Sequence, residues 1–102
     1  MTTTEKIYDA IIETAKRESH TLYELHSAEY GKKISARIET YKLILSGIRK
    51  RMTICENNDE EMKTSEVLSI INGIQSCTAR DSDEDKACSN VLGIFHSEIG
   101  KL

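Results

Sequence analysis

Apolar residues recur along this chain at spacings of three and four with polar residues between them, a period that predicts helices nearly throughout. Thr2-Thr3-Thr4-Glu5 reads as a capping box, so a first helix should start here. Its apolar face is expected to carry Tyr8, Ile11, Ile12, Ala15, Ser19, Leu22 and His26, with Asp9, Glu13, Lys16, Arg17, His20 and Glu24 opposite. Gly31 is the natural residue just past a helix end, which places the first break after Tyr30. A continuous rod through it is the alternative, since one glycine costs a helix about 1 kcal/mol.

The second helix, residues 32–55, presents Ile34, Ile38, Tyr41, Leu45, Ile48, Met52 and Cys55 at alternating spacings of four and three. That is a heptad seam for lengthwise packing on another helix. A weaker stripe almost opposite consists of Ala36, Leu43, Gly47 and Ile54, so this helix is expected to need two partners. The polar run 56–65 reads as a connection, with Asn58 or Thr64 as alternative N-caps. A third helix then offers a wide apolar arc of Val67, Leu68, Ile70, Ile71, Ile74 and Cys77. After the acidic connection 79–85, in which Ser82 can start the next helix, Cys88, Val91, Leu92, Phe95 and Ile99 share a face of a fourth.

The pattern therefore predicts an all-α protein, a small four-helix bundle made of a long antiparallel hairpin and a shorter one. At 102 residues it should form one domain, residues 1–102, with a single core. The absence of proline agrees with long helices. With 38% hydrophobic and 30% charged residues, the composition is that of a folded rather than a disordered chain. No apolar run is long enough to cross a bilayer and the start lacks the apolar stretch of a signal peptide, which makes the cytoplasm the expected location and a membrane partner unexpected. Cys55, Cys77 and Cys88 are too widely spaced for a zinc finger or disulfide framework and are expected to be buried thiols.

Charge changes the picture at the second helix, where Lys32, Lys33, Arg37, Lys42, Arg49, Lys50 and Arg51 make up half of the basic residues. A basic helix can contact nucleic-acid phosphates. On a helical projection, however, Lys33, Arg37 and Arg51 flank the seam on one side and Lys42 and Arg49 on the other, where heptad helices pair with acidic neighbours, while Lys32 and Lys50 point away. The overall charge of −3 also opposes non-specific nucleic-acid binding.

Candidate chemistry is sparse. Residues 81–85 open like a calcium loop, but Lys86 stands where glycine is needed and Leu92 where the bidentate glutamate is needed. His26 and His96 lie on or beside apolar faces without metal-ligand or nucleophile spacing to any cysteine. No phosphate-binding glycine loop is present. The expectation is a non-enzymatic module without cofactor or metal, which binds a larger protein complex through a helical surface, in the manner of a small adaptor or a phage-type inhibitor. The residues expected to make that contact are Tyr23, Lys42, Leu43, Arg49, Lys50, Arg51 and Ile54. A homodimer through the outer stripe is compatible with this reading. The alternative is nucleic-acid binding through residues 32–55, alone or across a dimer that joins two basic helices.

Overall fold

The computed structural model describes residues 2–24 and 28–101 and contains four helices, α1 Thr3–Glu24, α2 Ala28–Asn57, α3 Thr64–Gln75 and α4 Asp83–Gly100. No strand occurs among the described residues. At 1.5 Å per residue the 30 residues of α2 extend about 45 Å. The molecule is 47 Å long, so α2 is its spine. α1 runs antiparallel beside it, with Glu18 reaching Arg37 near one end of the pair. At the other end the Thr4 hydroxyl donates to the Met62 carbonyl at 3.0 Å, just beyond α2. α3 and α4 form the shorter hairpin and pack on the same pair, α4 against both α1 and α2.

The α1 start follows the capping box in its main feature: the Thr2 hydroxyl accepts from the Glu5 amide at 3.1 Å and donates to the Glu5 carboxylate. Gly31 does not end a helix. It lies inside α2 with no left-handed backbone, and the boundary falls earlier, between Glu24 and Ala28. α2 stops by a different device. Asp59 takes the left-handed conformation (φ 56), while the Glu60 amide donates to the Cys55 carbonyl and the Asp59 amide to the Glu56 carbonyl. These two bonds form a Schellman closure with aspartate where glycine is usual. Neither Asn58 nor Thr64 caps α3; Lys63 holds that position, and its amide donates to the Glu66 carboxylate at 2.9 Å. Ser82 caps α4 as the sequence suggests, accepting from the Asp85 amide at 3.1 Å.

The core also rotates relative to the sequence projection. On α1 the fully buried residues are Ile7 and Ile11, with Thr4 nearly so, because α1 must face α4 as well as α2. Tyr8 and Ala15 lie at the core edge, and His26 is outside the described residues. On α2 every second seam position, Ile34, Tyr41, Ile48 and Cys55, is buried, whereas Ile38, Leu45 and Met52 are half-buried. Ile44 is fully buried and Thr40 nearly so. They close the gap between the seam and the outer stripe, so the two stripes are one broad arc rather than opposite faces. α1 and α4 cover its seam side. α3 covers part of the other edge, and a Cβ on Gly47 would stand only 3.0 Å from the Ile70 Cγ2. Of the three cysteines, Cys55 and Cys88 are buried, and burial pushes the Cys88 thiol up. Cys77 is exposed, contrary to expectation, because it lies past the end of α3, in the turn that leads to α4.

A polar network threads this core. Asn90 Nδ2 of α4 donates to the Tyr41 hydroxyl at 3.0 Å. Burial chiefly pushes the Tyr41 phenol up to about 12, with the Asn90 hydrogen bond pulling down and neighbouring Glu18 adding to the rise. Arg37 Nη1 stands 3.6 Å from Glu18 Oε1, while Glu18 Oε2 and Arg37 Nε are buried with no hydrogen-bond partner among the described residues.

Two stability outcomes follow from these features. Arg37→Met alone leaves a mostly buried carboxylate uncompensated and should cost about 3 kcal/mol in chemical denaturation, while adding Glu18→Leu should restore most of it. Asp59→Gly removes the left-handed strain at the end of α2 and should raise stability by about 1 kcal/mol in the same assay.

Candidate protein-docking face

Burying the broad arc of α2 leaves one edge incompletely covered. Leu43, Gly47, Lys50 and Ile54 succeed one another at spacings of four, three and four, so they form one line along the helix. Leu43 is 61% and Ile54 49% exposed, and these are the large hydrophobic side chains left open among the described residues. α3 lies antiparallel beside this line, Glu66 opposite Arg51, Ile70 opposite Gly47, and Ile74 by Thr40 and Leu43. Gly47 lets the two helices approach closely at mid-length. On either side of that crossing the surface opens into two shallow hollows. One is formed by Lys50, Arg51, Ile54, Glu66, Ser69 and Ile70, the other by Thr40, Leu43, Gly73, Ile74, Cys77 and Glu84. A side chain at Gly73 would meet nothing within 4 Å, so the second hollow is open to solvent there.

The electrostatics of this face are uneven. Arg51 Nε donates to Glu66 Oε1 at 2.7 Å, which pins the start of α3 to α2. The Lys63 amide, with the Arg51 guanidinium second, holds the Glu66 carboxyl below its ordinary range, and Glu66 in turn raises Arg51. Lys42 pairs loosely with Glu39 at 3.5 Å on the exposed side of α2. Arg49 and Lys50 are exposed and have no ion-pair partner among the described residues. The facing helix offers them none: Glu66 is the single charged residue between Thr64 and Ala79, and its two oxygens are already engaged.

Of the residues expected to meet a partner, Leu43, Lys50, Arg51 and Ile54 are therefore brought together on one face. Lys42 and Arg49 project from the neighbouring side of α2, about a quarter to a third of a turn away by helix geometry. Tyr23 belongs to α1, and its side chain falls outside the described residues. No residue of α3 was among those expected to meet a partner. Ile70 and Ile74 are only half-buried, and Ser69, Asn72 and Gly73 are exposed beside them. The available signal was an apolar arc too wide for two neighbours on a helix almost without charge.

Elsewhere the candidate chemistry is structural. In the acidic turn, Asp85 accepts from Gln75 Nε2 and from the Asp81 amide, and these bonds, Gln75 first, hold its carboxyl below the usual range. His96 is exposed with its ring edge-on to Phe95, centroids 5.5 Å apart. Among the described residues no three His, Cys, Asp or Glu side chains are grouped to hold a metal ion. No described helix is long and apolar enough to cross a membrane. The chain was compared with family models, curated proteins and solved structures, and none matches.

The Glu66 carboxyl is depressed in the folded state, so its stabilising effect is present above the ordinary carboxylate range and is lost as pH falls through the lower, folded value. Glu66→Gln should lower the thermal midpoint at pH 7. The gap to the wild type should close as the pH is taken from about 6 to about 3, measured by circular dichroism at each pH.

Proposed function

We propose that the protein is a non-catalytic interaction module, an adaptor or inhibitor that docks its α2–α3 face on a larger protein. The observation that carries this reading is the pair of exposed hydrophobic side chains, Leu43 and Ile54, on one line of one helix, with half-buried Ile70 and Ile74 of α3 beside them. Single exposed apolar residues are ordinary on a protein surface; the support here is that Leu43 and Ile54 share one line and each borders a hollow lined by a half-buried isoleucine of α3. Leu43 and Ile54 are about 16 Å apart along α2 at the standard rise, a span that a compact partner surface can cover. Lys50 between them can lay its aliphatic stem along that line while its ammonium stays wet.

A second reading, nucleic-acid binding, draws on Lys32, Lys33, Arg49 and Lys50, all exposed and without an ion-pair partner among the described residues. It is the weaker reading because Arg37, Lys42 and Arg51 already pair with Glu18, Glu39 and Glu66.

A photo-crosslinking amino acid at position 43 or 54 tests the choice in extracts of the native host, with one at exposed Glu13 on α1 as control. The same protein should be captured from positions 43 and 54 and not from 13. Leu43→Asp with Ile54→Asp should abolish the capture while shifting stability by about 0.5 kcal/mol or less. Capture of nucleic acid alone, or of nothing, overturns the interaction reading.

A further inference from the structure

We infer that the protein on its own covers the α2–α3 face with a second copy of itself, in a two-fold contact centred where Gly47 meets Ile70, with Ile54 of each copy seated in the Leu43 hollow of the other. The dimer goes beyond the reading above. Only its consequence, that a larger protein has to displace the second copy, rests on that reading.

About a two-fold axis, every projection must find a hollow at the same distance on the far side. The α2 line has that arrangement about Gly47. Ile54, 49% exposed, stands seven residues to one side, which is two turns or about 10 Å along the helix. Thr40 stands seven residues to the other side, and at its level lies the hollow that it forms with Leu43, Gly73, Ile74 and Cys77. In the same pairing Leu43, four residues from the centre, comes to the level of Arg51 on the other copy, beside the first hollow with its half-buried Ile70. No side chain of α2 rises at the centre itself, because residue 47 is glycine.

Charge matches the same symmetry. At the Ile54 end Lys50 has no ion-pair partner among the described residues, and Arg51 beside it is engaged by Glu66 at 2.7 Å. At the Leu43 end Glu84 lines the hollow, and its carboxylate also has no ion-pair partner among the described residues. The two ends carry unlike charge, so a two-fold axis between them sets each against its opposite. Lys50, three residues from Gly47, is carried to the level of residue 44 on the other copy, beside the hollow that Glu84 lines. An occupant of one sign is attracted at one end and repelled at the other, whereas a second copy is attracted at both. The α3 wall agrees with burial between copies. Residues 67–79 hold no charged side chain although Ser69, Asn72, Gly73, Ser76 and Cys77 among them are exposed, and depletion of charge marks the centre of an interface.

Cys77 supplies the test. Within one chain, position 54 and the level of Cys77 are about 20 Å apart along α2, beyond the reach of a disulfide. In the dimer they adjoin across the two copies. Ile54→Cys treated with diamide, which takes up the two thiol hydrogens as the sulfur–sulfur bond forms, should therefore give a covalent dimer. Mass spectrometry of its unreduced peptides should show position 54 of one copy joined to Cys77 of the other, and Ile54→Cys with Cys77→Ser should lose that link. Sedimentation of the wild type should show a dimer that Ile54→Asp abolishes. Lys50→Glu alone and Glu84→Lys alone should each weaken it by about tenfold, and the two together should restore it, because each reversed charge then meets the other. The inference is overturned if the wild type stays monomeric, if position 54 links only to itself or to nothing, or if the double reversal does not recover the dimer. The joined dimer should capture no larger protein from position 43 until it is reduced, and capture without reduction overturns the displacement. A dimer from which positions 43 and 54 capture no larger protein upholds the two-fold contact and fails the interaction reading. A monomer from which both positions capture one larger protein does the reverse.

Discussion

The architecture depends on one constraint, the breadth of the apolar arc on α2. A helix of 30 residues with a narrow stripe could be satisfied by one antiparallel neighbour. Ile44 and Thr40 widen this stripe past what α1 can cover, and each fully buried isoleucine such as Ile44 or Ile48 contributes roughly 1.5–3 kcal/mol only if something encloses it. α4 therefore packs between α1 and α2, and α3 lies along the remaining edge. Because α3 has 12 residues against 30, the edge is covered only in part. The exposed line of Leu43 and Ile54 is what remains when a short helix lies along a long one.

Within the core, apolar packing alone does not set how the long helices align. The Tyr41–Asn90 hydrogen bond and the Glu18–Arg37 pair connect α1, α2 and α4 at fixed positions along their lengths. The ion pair is loose, and two of its buried polar atoms lack partners. Its net contribution to stability is accordingly small against its desolvation, but a shifted register would separate both charges from each other at a larger penalty. On the surface Arg51–Glu66 does the equivalent for α3, joining its first turn to α2 at 2.7 Å.

Helix number, the long-plus-short hairpin arrangement and most of the core were legible in the sequence because the period of apolar residues carries them directly. The Thr2 and Ser82 caps were legible because hydroxyl side chains at those positions have one effective use. The first helix break was not: Gly31 carries the usual signal, yet its weak helix penalty is overridden, and the stop that does use a left-handed residue is made by Asp59. Ile7 and Ile44 were missed for one shared reason. A projection of a single helix finds the centre of an apolar face, while burial depends on how many neighbours press on its margins. The candidate site divided along the same line. Leu43, Lys50 and Ile54 could be read from α2 alone, whereas Ile70, Gly73 and Ile74 join them only because α3 lies alongside, which no local pattern encodes.

The bond between Tyr41 and Asn90 also bears on how the chain comes to be folded. It joins residues 49 apart in sequence, and the Thr4–Met62 bond joins residues 58 apart. α1 and α2 precede α4 in the chain, so the part of the α2 arc that α4 covers stays open until the fourth helix packs on it. Closing the core thus requires contacts between segments far apart in sequence, whose loop-closure entropy has to be offset before the packing of α4 against α1 and α2 repays it.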